Sequence, residues 1–465
     1  MRFRNLLALL FALAMVAAAC GDSSTTTTTS GGTEAPTTEA PATEAPATEA
    51  PATEAPTEFP PAAMGELGGV LIGAGESVQI RTLQSISGGT EFLGVDQNRG
   101  TELAVEDYGD VLGHSVDLGV FEDDLCGPEG GAAGAQAIVA QDGVLGVVGT
   151  TCSGAAAAAA PIISQAGMVL VSGSNTSPSL TSDLQGNANE NWQPGYYRTA
   201  HNDLFQGAAA AEYAFSVLGF TNAGAIHDGD PYTQGLAQSF ADAFTALGGT
   251  VSVFTAVNKG DTDMTPVLTE VAAGEPEVIY FPIFPPEGNF IAQQIGGVAG
   301  LDDVQLFSAD GMFVAGEGGF MTLPESEGMY FSGPNLVFEN SGFTGVNYAD
   351  LKARYEADYG EAPLAAFHAH TYDATMILLS SIEAVAVEGP NGELWVDRDD
   401  LRAHMNGLSG FSGVTGSLTC DAFGDCGSQA IAIFFHEDAT AADPIAAATV
   451  VANLTKDGGF SETGN

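Results

Sequence analysis

Positive charge is scarce in this sequence. Eleven lysines and arginines stand against 59 aspartates and glutamates, for a formal net charge of −48 at pH 7. Two of the eleven, Arg2 and Arg4, sit at the N-terminus, so nine serve the rest of the chain. With no basic surface to displace counterions, nucleic-acid binding is argued against, as is docking of the folded surface onto anionic lipid headgroups. The excess acid acts instead through self-repulsion, which favours solubility. Cysteine is also scarce, with five in 465 residues. None forms a Cys-x-x-Cys pair, and no histidine stands at ligand spacing beside them, so a zinc site lacks its signature and no metal is expected. There is no Gly-x-Ser-x-Gly elbow and no Walker-type phosphate loop, and nothing marks a cofactor. His368 and His370 are two residues apart, which puts them on different faces of a helix, as packing or surface residues rather than a ligand pair. The chain reads as a non-enzyme.

The long apolar run that is present lies at the start. Arg2 and Arg4 precede Leu6 to Ala19, fourteen apolar residues. That length is too short to span a bilayer comfortably and suits an export signal. The run ends Ala17-Ala18-Ala19-Cys20-Gly21, which resembles a bacterial lipobox with Cys20 as the lipidated N-terminus; an ordinary signal peptide cut after Ala19 is the plainer alternative. Residues 1–20 are thus read as a lipoprotein signal peptide. Residues 21–65 follow as a disordered tether. Thr25 to Thr29 is a threonine run, and the five-residue unit Thr43-Glu44-Ala45-Pro46-Ala47 recurs from Thr48 and Thr53. With almost no large apolar side chain, nothing offsets the entropy of ordering it.

Setting Cys20 aside for lipid leaves four cysteines, an even number in an exported chain. Cys420 and Cys426 flank Asp421-Ala422-Phe423-Gly424-Asp425, a turn-like tip, and Cys126 and Cys152 remain to pair. Two disulfides fit better than a zinc site.

Past Ala63, short apolar runs alternate with helical stretches. Strands are predicted at Val78–Leu83, Val116–Phe121, Leu145–Val148 and Met168–Val171, then at Ala223–Ile226, Val251–Phe254, Val278–Phe281 and Val304–Phe307. Helices lie between them, among them Gly94–Tyr108, Pro128–Gln141, Ser153–Gln165, Asp203–Leu218 and Tyr232–Leu247. This βαβα order implies parallel sheets with helices on both faces, and the length accommodates two. Such sheets bind ligands beyond the carboxyl ends of their strands. Three loops there are informative. Gly149-Thr150-Thr151-Cys152-Ser153-Gly154 opens a helix whose N–H groups and dipole suit a carboxylate, although Ser153 alone reads as a helix cap. Ser172 to Thr181 is dense in hydroxyls, including Ser174 and Thr176, and lies on the adjacent strand. Asp310 ends a strand before Gly311, where an acid suits an ammonium group or a helix cap.

At this point the sequence resembles the leucine/isoleucine/valine-binding protein family of ABC importers, over roughly Val78 to Phe434. The match runs from Phe121-Glu122-Asp123-Asp124-Leu125-Cys126 through Gly149–Gly154 to Asn175–Thr181. It continues at Tyr197-Arg198-Thr199, His227-Asp228 to Tyr232, Gly235-Leu236-Ala237 and Tyr372-Asp373-Ala374. The resemblance implies an α/β fold of the type I periplasmic binding class, with two doubly wound parallel-sheet lobes joined by a three-stranded hinge. The chain would cross near Ala200, Phe331 and Phe411. Residues 66–200 and 332–411 then form one lobe, 201–331 and 412–455 the other, and 456–465 a tail. The resemblance also implies a Cys126–Cys152 disulfide. A ligand carboxylate would be held by Ser153, Ser174 and Thr176, and its ammonium by Asp310, where glutamate is common. Tyr232 and Phe284 would close over the ligand from the second lobe. Leu93 stands where a tryptophan often shields the side chain, which implies a roomier pocket.

The expected function is that of an exported solute-binding lipoprotein, anchored on the outer face of the cell membrane through its N-terminal lipid only. It would capture a small amino-acid-like ligand, by default a branched-chain amino acid, and deliver it to the permease subunits of an ABC importer. The alternative is a sensor of the same fold that binds an amide, urea or aromatic compound and signals to a receptor.

Overall fold

The computed structural model describes residues 59–61, 65–456 and 459–463. The signal peptide, Cys20 and nearly all of the tether lie outside the described residues. Among the described residues, no helix is long and apolar enough to cross a membrane.

The first half of the chain runs β1 (Gly69–Ile72), β2 (Val78–Gln84), α1 (Glu91–Tyr108), β3 (Val116–Asp117), β4 (Glu122–Asp123), α2 (Pro128–Val139), β5 (Val144–Gly149), α3 (Ser153–Gln165), β6 (Val169–Ser172) and β7 (Tyr196–Arg198). Six of these strands make one parallel sheet in the order β3-β2-β5-β6-β7, with β4 also paired to β2. Every residue of β5 and β6 is buried, as expected for strands covered on both faces. Small residues let the helices pack closely. A side chain at Gly131 in α2 would run into the Ala155 carbonyl of α3 at 2.3 Å. The strand expected over Val116–Phe121 is broken in two, because Gly119 turns at φ 61° and a side chain there would meet the Arg81 guanidinium.

The chain then enters a second sheet through α4 (Asp203–Glu212), β8 (Asn222–His227), α5 (Pro231–Ala246), β9 (Thr250–Ala256), α6 (Thr265–Ala272), β10 (Val278–Tyr280), α7 (Glu287–Gln294), β11 (Gln305–Ala309) and β12 (Tyr330–Pro334). It returns to the first lobe as α8 (Tyr348–Tyr359), α9 (His368–Val385), β13 (Val387–Glu388), β14 (Leu394–Asp397), α10 (Arg398–Asn406), β15 (Phe411–Gly413) and β16 (Gly416–Leu418). It ends in the second lobe as β17 (Ile431–Phe435), α11 (Pro444–Ala447), β18 (Thr449–Thr455) and β19 (Gly459–Glu462). The second sheet has the order β19-β18-β17-β12-β11-β10-β8-β9, parallel from β9 to β12 and antiparallel from β12 outward. β18 and β19 are separated by only three residues, a connection that permits only an antiparallel pair.

The structure differs from the sequence reading at three boundaries. The second passage between lobes begins after Pro334 rather than near Phe331, because β12 continues its pairing with β17 to Pro334. The third passage follows Cys426 rather than Phe411. Leu418, Cys420 and Cys426 are buried in the first lobe's core with Val148, Val171 and Tyr197. Asp373 of α9 also holds that segment, accepting from Val414 N, Thr415 N and the Thr415 hydroxyl at 2.6–2.8 Å. Finally, the stretch read as a tail supplies β19, which pairs with β18 through Gly459–Glu462.

Candidate functional site

One wall of the site is built on the end of β5. Gly149 has φ 148°, and a side chain there would meet the Leu83 carbonyl at 2.1 Å, so only glycine lets the chain turn here. Asp124 then fixes the turn. Its fully buried carboxylate accepts from Thr151 N at 2.7 Å and Cys126 N at 2.8 Å. The Cys126–Cys152 disulfide closes the same junction. Burial raises the Asp124 carboxyl to about 7, against the pull of these backbone donors. Cys152 is the cap residue of α3, and no side chain caps the helix. Ser153 is therefore the first helical residue and not the cap. Its Oγ accepts from Ser177 N at 3.3 Å. Two carboxylates lie at this positive helix end, Asp124, which accepts from Cys152 N at 3.4 Å, and Asp230 of the second lobe, whose Oδ2 lies against Gly154.

The hydroxyl-rich loop after β6 folds against this end. Ser172 Oγ accepts from Ser174 N and Asn175 N at 3.1 and 2.9 Å, and Ser174 Oγ donates to Thr151 O at 2.7 Å. Arg198 holds the loop from beneath, donating to Ser177 O at 2.8 Å and Thr181 Oγ1 at 2.7 Å.

The facing wall belongs to the second lobe. Asp230 caps α5 by accepting from Tyr232 N at 2.9 Å. The Tyr232 and Phe284 rings lie 5.1 Å apart, and Gly311 N donates to the Tyr232 hydroxyl at 3.2 Å. Asp310 follows β11. Gln206 Nε2 donates to its Oδ1 at 2.5 Å and to Ser332 O at 3.0 Å. Burial raises the Asp310 carboxyl to about 6, against the hydrogen bond from Gln206. Asp203, the first residue of α4, is fully buried as well. Burial pushes its carboxyl well above the usual range, and the neighbouring Asp310 adds to the rise.

These parts meet in one small cavity between the lobes, lined by Leu93, Thr151, Cys152, Ser153, Ser174, Tyr232, Phe284, Asp310 and Phe367. Six of the seven ligand residues expected from sequence are in that wall. The seventh, Thr176, is not. It is buried one layer behind, beside Asp203, where its hydroxyl opposes the rise of that carboxyl but makes no hydrogen bond of good geometry. The cavity measures only about 10 Å³. The roomier pocket expected from Leu93 is not seen, and Phe367 and Phe284 line the same small cavity. The walls are in contact outside it, where Ser177 Oγ donates to Pro231 O at 2.9 Å. A larger open groove of about 430 Å³ lies at that rim, lined by residues such as Asn189, Gln234 and Asp242. Its charged lining residues, Glu190 and Asp242, are both acidic. Thr151, Gln206, Asp203 and Phe367 carried no signal in sequence beyond their place at strand ends and element starts. His368 and His370 are both buried on α9, packed against aromatic rings. The disulfides Cys126–Cys152 and Cys420–Cys426 are both formed.

A family model described as periplasmic binding protein matches residues 77–453. Leu/Ile/Val-binding protein homolog 3 of Brucella melitensis is 27% identical over 370 residues, which cover 78% of this chain and 92% of that protein. Among solved structures, a leucine binding protein, LivK, of Thermotoga maritima superposes with a TM-score of 0.67 at 24% identity, covering 82% of this chain and 99% of that one. A solute binding protein of an ABC transporter from R. palustris, in complex with benzoate, gives a TM-score of 0.65 at 19% identity, covering 83% and 98%. With a match over most of its length and two α/β lobes around a small cavity, the chain belongs to the periplasmic binding protein family and is a solute-binding protein of the type I fold.

Proposed function

We propose that this protein captures a small amino acid, by default a branched-chain one, for an ABC importer, and that it does so by closing its lobes. One observation carries the reading. Ser153 at the N-terminus of α3, Ser174 and Asp310 line a single cavity. A zwitterion presents a carboxylate to the serines and an ammonium to the aspartate. Leu93, Tyr232, Phe284 and Phe367 offer an apolar surround for its side chain. A cavity of about 10 Å³ cannot admit a ligand, so the lobes must part for entry and close afterwards. Tyr232 and Phe284 are then contacts made only on closure. Family membership and the leader-like first twenty residues support export, and Cys20 supports a lipid anchor outside the membrane, with permease subunits as partners. Ligand capture without chemistry is the role, so the protein is no enzyme.

A second reading is supported by the three aromatic rings around the cavity and by the benzoate-bound relative in fold. In it, the ligand is an aromatic acid, and the same closure reports to a receptor. Mass spectrometry of what co-purifies with the protein separates the two. A branched-chain amino acid supports the first, and a benzoate-like acid overturns it. Cys20→Ala should release the protein from membranes; unchanged retention would refute the anchor.

A further inference from the structure

The start of α3 carries a glycine that the helix itself does not call for. Gly154 is the second residue of α3, and six alanines follow it. Alanine is the best helix former and glycine the worst but for proline, so residue 154 gives up helix stability. Beyond the helix's own backbone, the three nearest atoms that a side chain there would meet all belong to the second lobe. They are Asp230 Oδ2, well inside contact distance, then Asp230 Cγ at 3.3 Å and Pro231 Cδ at 3.4 Å.

Asp230 is not free to yield. It is 5% exposed. Its Oδ1 accepts from Tyr232 N at 2.9 Å, which caps α5, and its Oδ2 meets Lys259 Nζ at 3.5 Å. Turning the carboxylate aside disturbs both. The next contact along the seam backs the same turn. Ser177 Oγ donates to Pro231 O at 2.9 Å, and a side chain at Gly235 would meet Pro178 Cδ at 3.4 Å and Ser177 Oγ at 3.5 Å. The Asp230–Pro231 turn is thus seated between the start of α3 and the loop of the first lobe. Neither Gly154 nor Asp230 lines the inner cavity, whereas Tyr232, which follows the turn, does.

We propose that Gly154 is a positioning residue for closure. Its missing side chain lets the Asp230–Pro231 turn of the second lobe seat on α3, and so brings Tyr232 over the ligand. The inference rests on the reading that the lobes part and close. A methyl group at residue 154 then acts on affinity through the fraction of protein able to close, without touching the ligand.

Gly154→Ala tests this. Spin labels on exposed residues of the two lobes, Gln185 and Asp242, report lobe separation in the whole protein, without ligand and with L-leucine. The parent should show a short and a long separation. Gly154→Ala should cut the ratio of short to long about tenfold or more, and weaken L-leucine to match through faster dissociation. Its melting temperature should be equal or higher, because alanine suits the helix. Asp230→Ser keeps a capping oxygen but removes the obstructing one. In that background Gly154→Ala should change neither the ratio nor the affinity. An unaltered ratio in Gly154→Ala overturns the proposal, as does a lower melting temperature or an equal effect of the methyl group in Asp230→Ser. A single separation in the parent under both conditions overturns it together with the closing reading. If L-leucine leaves two populations of the parent unshifted, the amino-acid reading fails, and the ratios without ligand still decide on Gly154.

Discussion

Arg198 and Asp425 form an ion pair at 2.5 Å, with side chains 0% and 4% exposed. The pair joins the last strand of the first sheet to the loop closed by Cys420–Cys426, and Arg198 also carries the hydroxyl-rich loop of the site. Removing one partner leaves a buried charge alone, which typically costs about 3–5 kcal/mol. Asp425→Ala should therefore lower the denaturation midpoint strongly and weaken ligand binding with it, because the loop bearing Ser174 loses its support. A midpoint within experimental error of the parent would show that the loop is held by other means.

The site should respond to pH in one direction. The Asp310 carboxyl sits near 6, raised by burial. An ammonium ligand binds the ionised form, so below that pH a proton must leave before the ligand binds. Affinity for an amino acid should then fall as pH drops through 6, approaching tenfold per unit. Stability has the opposite sign. A carboxyl raised on folding binds more protons folded than unfolded, so its contribution is fullest below the unfolded value and is lost as pH rises through 6. Asp310→Asn should flatten the affinity profile. An unchanged slope in that variant would assign the titration elsewhere.

The Cys126–Cys152 bond spans 26 residues, which corresponds to about 3–4 kcal/mol in the chain-entropy model. Cys420–Cys426 spans only 6 and should contribute about 2 kcal/mol. Replacing the first pair by serines should lower stability more than replacing the second, and should also weaken binding, because the bond fixes the start of α3. Equal losses from the two replacements, read by denaturant titration, would contradict that ranking.

Much of this was legible in the chain because its periodicities are strong. α3 occupies Ser153–Gln165 as its alanine run and preceding glycine turn predict, and Ser153, Ser174 and Asp310 sit where strands end. What was not legible depends on contacts far apart in sequence. The segment 411–426 is short-stranded and turn-rich, and its contacts with Asp373 and Arg198 and the burial of Leu418, Cys420 and Cys426 in the first lobe's core show that it stays with that lobe. Phe367 enters the cavity because α9 starts beside it, and nothing in its neighbourhood of small residues marks it. Thr176 lies in the right loop, but Arg198 and Ser172 set that loop's path, and the path turns Thr176 toward Asp203 rather than the cavity.

The central claim is that Asp310 meets the ammonium of an amino-acid ligand across from Ser153. Titration calorimetry of L-leucine, and of its analogue without the amino group, into the parent protein and Asp310→Ala tests it most directly. Loss of one partner from a buried charged pair costs about 2–5 kcal/mol, so L-leucine should bind Asp310→Ala about 30-fold or more weaker than the parent. The analogue should bind the variant as well as the parent, or better. If L-leucine binds both proteins equally, or only the analogue binds the parent, the ligand is not an amino acid held at Asp310.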